Sequence, residues 1–299
     1  MNDLNADSHQ DAIKPATLYI VATPIGNLGD MSARALQVLR EVDLIAAEDT
    51  RHSSRLTQHF GITTKLVSYH DFSSRSREDN ILADLQAGRT VALISDAGTP
   101  LISDPGYTLV ARARELGVTV IPVPGPCALT AALSAAGLPT DRFAFEGFPP
   151  HKSGARRQMF EALMQEQRTL VFYESPHRIR DSVQDMCDVF GAQRQAVICR
   201  ELTKTWETIY GDSLGNLCSW LDADDNNRRG EFVVLVHGAP APDTEDLPAE
   251  AERMLRILLE ELPLRQASAL AAKLSGIKKN LLYKRALELG GTQEVPLQE

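Results

Sequence analysis

The fold is decided by the segment Thr90-Val91-Ala92-Leu93-Ile94-Ser95-Asp96-Ala97-Gly98-Thr99-Pro100-Leu101-Ile102-Ser103-Asp104-Pro105-Gly106. Its first half is a short apolar run, partly β-branched, which predicts a buried β-strand. Its second half is rich in glycine and proline, which predicts a loop. Open α/β sheets bind ligands beyond the carboxyl ends of their parallel strands. We therefore expect a ligand-binding loop in which Asp96 accepts hydrogen bonds from hydroxyl groups or an amine. The alternative is a tight turn before a helix near Tyr107, with Asp104 as its cap.

Two further loops follow apolar strands in the same way. One covers Thr23 to Asp30, and the other is Pro124-Gly125-Pro126-Cys127-Ala128, which leads into an alanine-rich helix. Neither has the GxGxxG spacing of a dinucleotide site or the Gly-Lys-Ser/Thr of a phosphate-binding P-loop. Small residues at the start of the helix leave backbone N–H groups available to a ligand. The sequence predicts one ligand that contacts all three loops and need not carry phosphate.

The pattern of elements predicts an α/β fold with an appended helical module. Residues 16–123 alternate strands and helices, which indicates a mostly parallel sheet with helices on both faces. Residues 124–239 form a second α/β unit. It ends in three predicted strands without intervening helices, which favours a mixed sheet; they are Ala196–Arg200, Thr205–Tyr210 and Glu231–His237.

The two ends of the chain differ from this pattern. Residues 1–15 are polar and acidic and predict a disordered tail, and residues 240–248 have the composition of a linker. Residues 249–299 carry leucines at helical spacing in two segments with a Ser275-Gly276 turn between them. This is a helix-turn-helix pattern.

Composition narrows the class of protein. The four cysteines lie far apart without a CxxC pair, which argues against a zinc site or a disulfide framework and favours a reducing cytosol. The histidines lack metal-ligand spacing, so we expect no metal. Because the cysteines favour a reducing compartment, we expect a cytoplasmic protein. No apolar run approaches the ~18 residues of a membrane span. The net charge of −9 argues against uniform coating of nucleic acid but allows a local basic patch.

Several segments together carry a family resemblance. They are Ala22–Asp30, Ala47–Arg51, Ser95–Pro100, Pro122–Pro126, Phe172–Arg178 and Arg200–Lys204. With these motifs the chain resembles the tetrapyrrole methylase superfamily of S-adenosylmethionine-dependent methyltransferases over about residues 17–240. Within it, the chain is similar to the branch that methylates the ribose 2′-hydroxyl of a cytidine in small-subunit ribosomal RNA.

The resemblance implies that S-adenosyl-L-methionine binds in a cleft between the two α/β domains. The residues implied to contact it from the first domain and the third loop are Pro24, Ile25, Asp96, Ala97, Gly98, Thr99, Cys127 and Ala128. Those implied from the second domain are Phe172, Tyr173 and Leu202. Cys127 departs from many relatives, which have serine there. The resemblance also implies a homodimer whose substrate is ribosomal RNA, within the small subunit.

Transfer to a ribose hydroxyl needs in-line geometry and help with the proton, because the hydroxyl is a poor nucleophile. Glu174 directly follows an apolar strand and is the first candidate for the base, and Glu201 is the second. Lys204 could steer phosphate or stabilise a developing alkoxide. The structural alternatives are that Glu174 pairs with Arg178 or Arg200, and that Lys204 is a solvated lysine on an edge strand.

RNA contact is expected at local basic clusters. The segment Lys273–Arg285 contains five basic residues and no acidic one, which is the strongest such footprint in the chain. The alternative is an ordinary solvated helix face. The candidate RNA-binding residues are Arg51, Arg178, Lys273, Lys278, Lys279, Lys284 and Arg285.

Two other functions compete with this one. The first is a methyltransferase of the same fold that acts on a tetrapyrrole or on a modified protein histidine, and the basic helical tail favours RNA over it. The second is a non-catalytic helix-turn-helix regulator. Three ligand-type loops over two α/β units argue against a regulator, which needs no such cleft.

Overall fold

The computed structural model describes residues 12–70, 75–240 and 247–290. The chain divides into two units, residues 1–238 and residues 239–299. Most of the predicted disordered tail (residues 1–15) and of the predicted linker (residues 240–248) lies outside the described residues. Each unit is built around its own hydrophobic core.

The first sheet is entirely parallel and has the strand order β3-β2-β4-β1-β5. Its strands are β1 (Thr17–Val21), β2 (Leu44–Ala47), β3 (Leu66–Ser68), β4 (Val91–Ile94) and β5 (Thr119–Val123). Its helices are α1 (Ala33–Glu41), α2 (Thr50–His59), α3 (Arg75–Gln86) and α4 (Tyr107–Glu115), and a 3₁₀ turn covers Leu28–Asp30.

Both faces of this sheet are covered, as the near-continuous apolar strands predict. Strand β4 is buried along its whole length. Ala92 and Ile94 pack with α1 on one face, and Val91 and Leu93 pack with α3 and α4 on the other. Because β1, β2, β4 and β5 run parallel, the loops after them emerge at one edge. The predicted parallel sheet is therefore confirmed.

The second sheet is mixed and has the order β6-β7-β10-β8-β9. Strands β6 and β7 are parallel and the other neighbours are antiparallel. The strands are β6 (Phe143–Gly147), β7 (Thr169–Glu174), β8 (Gln195–Arg200), β9 (Thr208–Ser213) and β10 (Phe232–Val236). The helices are α5 (Ala128–Ala135), α6 (Ser153–Ala162), α7 (Ile179–Phe190) and α8 (Leu214–Ala223).

The helix between β9 and β10 corrects the expectation that the closing strands follow one another without helices. Leu214, Leu217 and Leu221 repeat at helical spacing and are fully buried. Ser213 caps the helix by accepting from the backbone N–H of Asn216. The helical spacing of these leucines is visible in the sequence. The acidic run after Leu221 resembles a loop, however, and the helix was not predicted.

The two faces of the second sheet have different partners. One face packs against α6, α7 and α8 in a core that includes Phe172 and Phe160. The other face packs against α5 through Leu129 and Leu133, and Ile25 and Ile102 of the first domain join the same cluster. The region between the two sheets therefore contains α5 and the loops of the first domain.

In the described part of the second unit the chain forms α9 (Ala249–Glu261), α10 (Leu264–Ser275) and α11 (Lys279–Gly290). Gly276 ends α10 with a left-handed φ of 71°, in agreement with the predicted Ser275-Gly276 turn. The expected single segment before this turn is divided at Pro263, because proline disfavours helical backbone in the residue before it. Across the described ranges, no helix has the length and apolar character needed to cross a bilayer.

Candidate active site

Hydrogen bonds join the three predicted loops at the carboxyl edge of the first sheet. Thr23 and Gly98 exchange backbone bonds, with Thr23 N donating to Gly98 O (2.9 Å) and Gly98 N donating to Thr23 O (3.0 Å). Thr99 Oγ1 donates to Pro126 O (3.0 Å). The convergence expected from the sequence is therefore present.

Gly98 serves this junction rather than offering its N–H to a ligand. Its φ of 87° is left-handed, and a Cβ there would lie 3.2 Å from Cγ2 of Ile25. Its N–H is already donated to Thr23. The loop-to-loop bridge uses this N–H, so the cofactor contact expected of Gly98 would have to come from its other backbone atoms, and it stays a prediction.

The loops enclose a cleft of about 460 Å³ between the two sheets. Of the residues implied to contact the cofactor, nine line it: Ile25, Asp96, Ala97, Gly98, Thr99, Cys127, Ala128, Tyr173 and Leu202. The resemblance did not name Glu48, Asp104, Phe148 and Glu231, which also line it. A volume of this size suits a small organic ligand.

Phe172 and Pro24 lie outside this lining. Phe172 is fully buried and packs edge-on against Phe160 (5.5 Å between ring centroids) on the other face of the second sheet. Neighbouring residues of a strand point to opposite faces, so only Tyr173 of this pair can face the cleft. Pro24, which belongs to the first loop, is buried. The side chain of Phe172 therefore faces away from the cleft, and the expected ligand contact of Pro24 stays a prediction.

Tyr173 supports the start of α5. Its hydroxyl oxygen accepts from the backbone N–H of Leu129 (3.0 Å), where Cys127, the N-cap residue, makes no side-chain cap. Burial raises the pKa of the Tyr173 hydroxyl, so it stays protonated at neutral pH. Tyr173 therefore fixes the third loop against the second sheet.

Three carboxylates form an acidic wall of the cleft: Glu48 after β2, and Asp96 and Asp104 after β4. Asp96 Oδ1 accepts from the backbone N–H of Asp49 (3.1 Å), and the N–H of Asp96 donates to Glu48 Oε2 (3.4 Å). These bonds connect the ends of two neighbouring strands. An acidic wall of this kind favours a cationic ligand.

Asp104 is not the helix cap that the sequence offered as the alternative. The N-cap of α4 is Gly106, which has no side-chain cap. Burial raises the pKa of Asp104 to about 6; a hydrogen bond from Ser95 opposes the rise, and the charges of Glu48 and Asp96 add to it. Asp104 is thus a carboxylate with a pKa near neutrality in the cleft.

Glu174, the first candidate base, is held by several donors. It is buried and accepts from Ser175 N (2.7 Å), Arg178 Nη2 (2.8 Å) and, through a short contact, Ser182 Oγ. This agrees with the alternative in which Glu174 pairs with Arg178. A carboxylate with these contacts organises the loop after β7.

Arg178 is engaged inside the protein. Its side chain is only 14% exposed. Besides Glu174, it donates from Nη1 to Pro149 O (2.8 Å) and from Nε to Ser175 Oγ (3.2 Å). The expected RNA contact of Arg178 stays a prediction, and these acceptors on its guanidinium argue against it.

Glu201 and Lys204 form a second network, which is only partly buried. Lys204 Nζ donates to Glu201 Oε1 and Glu231 Oε2, both at 2.9 Å, and Glu201 Oε1 also accepts from Glu231 N (2.9 Å). Burial raises the pKa of Glu201, but Lys204 and the Glu231 N–H lower it further, so the net direction is down. A lowered pKa makes Glu201 a weak proton acceptor.

Lys204 also contacts the first domain. A Cβ at Gly26 would overlap its side-chain carbons. Burial lowers the pKa of Lys204, yet the bonds to Glu231 and Glu201 raise it more, so its ammonium stays charged. With a side chain 26% exposed, Lys204 is not the solvated lysine of the alternative.

The remaining RNA candidates lie on the surface of each unit. Arg51 is 90% exposed and pairs with Asp49 (2.8 Å). Arg285 pairs with Glu252 (2.9 Å) and Glu288 (2.8 Å), which reduces the charge it presents. The exposed lysines of the predicted segment are Lys273, Lys278, Lys279 and Lys284. Within the described ranges, no group of three or more His, Cys, Asp or Glu is placed to hold a metal ion.

Comparison with solved structures shows the fold. The uroporphyrin-III-C-methyltransferase of Thermus thermophilus matches with a TM-score of 0.53 at 19% identity, covering 74% of this chain and 94% of that one. A cobalt precorrin-4 methyltransferase matches with a TM-score of 0.54 at 14% identity, covering 78% and 98%. A diphthine synthase matches with a TM-score of 0.54 at 16% identity, covering 74% and 90%.

Comparison of sequences identifies the family. The family model for tetrapyrrole (corrin/porphyrin) methylases matches residues 17–218, and that for the RsmI C-terminal HTH domain matches residues 245–290. The ribosomal RNA small subunit methyltransferase I of Pseudomonas aeruginosa is 59% identical over 92% of this chain and 98% of its own length. That of Escherichia coli O157:H7 is 57% identical over 92% and 96%. The chain belongs to the tetrapyrrole methylase family, within the group of ribosomal RNA small subunit methyltransferase I.

Proposed function

We propose that this protein transfers a methyl group from S-adenosylmethionine to the ribose 2′-hydroxyl of a cytidine in small-subunit ribosomal RNA. The observation that carries the proposal is the acidic cleft between the two sheets, in a chain 59% identical to a protein named for small-subunit ribosomal RNA methylation. The basic segment Lys273–Arg285, in the part of the chain that matches a helix-turn-helix model, supports an RNA substrate over a small molecule.

The cleft fits the proposed cofactor. When bound, S-adenosylmethionine supplies an electrophilic methyl group on a cationic sulfonium. Asp96 and its neighbouring carboxylates favour that cation, and Ile25, Leu202 and the small residues Cys127 and Ala128 provide an apolar wall. These side chains would bind the cofactor and exclude water from the methyl group.

Among the titratable groups of the cleft, we propose Asp104 as the acceptor of the hydroxyl proton. Its pKa of about 6 leaves it ionised at neutral pH yet basic enough to take a proton. Glu174 and Glu201, the two candidates from the sequence, then position the loops after β7 and β8. Lys204 keeps its charge and holds Glu201 and Glu231 in place.

The proposed activity is tested by methyl transfer from labelled S-adenosylmethionine. The substrates compared are unmethylated small ribosomal subunits, naked ribosomal RNA and a free tetrapyrrole. We expect label in the RNA, resistant to alkaline cleavage at the modified nucleotide because a methylated 2′-oxygen cannot attack the phosphate. Label in the tetrapyrrole alone would contradict the proposal.

Asp96→Ala is expected to weaken cofactor affinity. Its carboxylate would make one or two charged hydrogen bonds to the ligand, worth roughly 1.5–3 kcal/mol each. Calorimetry with S-adenosylmethionine measures the change. Asp84→Ala, on α3 and paired with Arg89, is the matched control. Equal affinities for the Asp96 variant and the native protein would remove Asp96 from the site.

Lys278→Ala combined with Lys279→Ala is expected to weaken RNA binding. Each lost phosphate contact should make the slope of log affinity against log salt shallower by about 0.7–0.9. The control combines Arg253→Ala with Arg265→Ala, two exposed arginines of the same unit. Equal slopes for the native protein and the lysine variant would assign the segment another role.

The assembly and the compartment are also proposals. We propose a homodimer, on the family resemblance, and a reducing cytosolic location, on the scattered cysteines. Sedimentation at micromolar concentration tests the first, and fractionation of cells tests the second.

A further inference from the structure

The cleft is lined by an exposed aromatic ring to which the proposed mechanism gives no role. Phe148 is 52% exposed, yet its side chain is part of the cleft lining. It lies in the same cleft as the acidic residues Asp96 and Asp104. An apolar ring kept open to solvent inside a functional cleft indicates a surface that is covered when a ligand binds.

The backbone around Phe148 is specifically shaped. The register of β6 against β7 shifts between Phe145 and Gly147, and Gly147 has a left-handed φ of 66°. Irregularities of this kind change the direction of the following side chain and are frequent beside active sites. Pro149 and Pro150 then restrict the chain beyond the ring.

Contacts from the second domain hold the ring in place. Phe148 packs edge-on against Tyr173 (5.6 Å between centroids, 67° between planes), and Tyr173 packs likewise against Phe145 (4.8 Å). Arg178, fixed by Glu174, donates to the carbonyl of Pro149. Tyr173 therefore supports the ring on one side, while about half of the surface of Phe148 remains open.

The first domain closes the other side of this region. A Cβ on Gly147 would lie 3.4 Å from Oγ of Ser103, the neighbour of Asp104. Ser103 itself has a left-handed φ of 65°. The segment that follows β6 and carries Phe148, here named the Phe148 loop, thus lies beside the loop that carries the proposed proton acceptor.

We propose that Phe148 is the platform on which the base of the target nucleoside stacks while its ribose is methylated. The ligand class is a planar nucleobase, and the inference rests on the proposed function. Two sources of such a base exist, the RNA and the adenine of the cofactor. We assign the RNA. Leu202, which is proposed to contact the cofactor in the same cleft, is only 8% exposed. Phe148 is far more exposed, so a large substrate can reach it from solvent.

Stacking on an aromatic side chain is sequence-tolerant and depends on the ring. Phe148→Ala should therefore lower kcat/KM for unmethylated small subunits by roughly 5- to 150-fold, mostly through KM, which is the range found for one stacked base. Phe148→Tyr should restore the native value to within about threefold, and Phe148→Leu, which keeps apolar volume without a ring, should not.

The control is Phe143→Ala at the other end of β6, a phenylalanine of similar exposure (42%) outside this cleft. Calorimetry with S-adenosylmethionine accompanies every variant. The inference predicts that every variant keeps the native cofactor affinity. It also predicts that Phe143→Ala keeps the native kcat/KM.

Three results with the Phe148 variants would overturn the inference while leaving the proposed function standing. A native kcat/KM for Phe148→Ala removes the platform. Loss of cofactor affinity in Phe148→Ala, with the KM for subunits unchanged, assigns the ring to adenine instead. Restoration by leucine as well as by tyrosine reduces its role to apolar filling. Failure of the native protein to methylate subunits while it binds the cofactor would overturn the proposed function, and this inference with it.

Discussion

Replacing Asp104 with Asn is expected to slow single-turnover methyl transfer by about a hundred- to ten-thousand-fold, the usual contribution of a general base. The native rate should rise with pH as Asp104 ionises, because only the ionised carboxylate accepts a proton. Burial raises the pKa of Asp104 to about 6 in the cofactor-free protein, and a bound cation would bring the rise to a lower pH. The variant should lack this rise. The measurement is a quench-flow time course at saturating cofactor between pH 5 and 8.

The stability of the same variant separates lost chemistry from lost structure. The pKa of Asp104 is higher in the folded protein than its ordinary 3.8, so the folded state holds the proton more tightly. This contribution to stability is fully present below about pH 4 and is lost as pH rises through about 6. Asn carries no charge to bury, so Asp104→Asn should be at least as stable as the native protein at pH 7.5.

Two controls complete the test. Asp84→Asn changes a carboxylate on α3, paired with Arg89 outside the cleft, and should leave both the rate and its pH profile unchanged. Saturating cofactor removes any effect of the lost charge on cofactor affinity. An Asp104→Asn enzyme with the native rate and pH profile would assign the proton to another group.

The first domain was predictable because its signals are local. An apolar run such as Val91–Ile94 followed by a Gly/Pro loop identifies both the strand and the end at which a ligand binds. The loop-to-loop bonds of Thr23 with Gly98 and of Thr99 with Pro126 join residues 75 and 27 positions apart. Parallel topology places these loops at one edge, so the sequence could anticipate their meeting but not their partners.

Side-chain roles were less predictable, because they depend on distant neighbours. Asp104 precedes a helix and resembles a cap, and only the fold shows Gly106 in that place and the carboxylate in the cleft. Phe172 and Tyr173 are adjacent in an apolar strand, and the sequence does not say which faces the cleft. Arg178, one of the partners of Glu174, was named among the alternatives because it is only four residues away, but the burial of Glu174 was not predicted.

The exposure of Phe148 also could not be predicted from its neighbours in the sequence. A phenylalanine directly after a strand is normally expected to be buried. Its exposure follows the register shift between β6 and β7 at Gly147, which the sequence does not encode locally. The surface that the proposed substrate covers is thus the least visible part of the site from sequence alone.

Glu174→Ala is expected to destabilise the protein by about 3–5 kcal/mol, because it leaves Arg178, only 14% exposed, without its carboxylate partner. For a unit of this size each kcal/mol lowers Tm by about 2–4 °C, so Tm should fall by roughly 10 °C. Glu174→Gln keeps the shape of the side chain and an acceptor for Ser175 N, so its Tm should fall by less. Calorimetric or circular-dichroism melting measures both variants.

The kinetics of Glu174→Gln separate a positioning role from that of a base. With Arg178 less firmly held, the carbonyl of Pro149 and the Phe148 loop lose a fixed contact. We therefore expect a higher KM for ribosomal subunits, a kcat per folded molecule close to native and an unchanged affinity for S-adenosylmethionine. A base would give the reverse, with a kcat reduced a hundredfold or more at native KM and native Tm.

Glu166→Ala is the matched control for this prediction. Glu166 also pairs with an arginine, Arg168 (2.6 Å), just before β7, but the arginine side chain is 41% exposed. Exposed pairs contribute little to stability, so its Tm and its KM for subunits should stay near native. If Glu174→Gln melts like Glu166→Ala and loses only kcat, Glu174 rather than Asp104 accepts the proton. If Glu174→Ala and Glu174→Gln both keep the native Tm and native kinetics, the link from Glu174 through Arg178 to the Phe148 loop does not position the substrate.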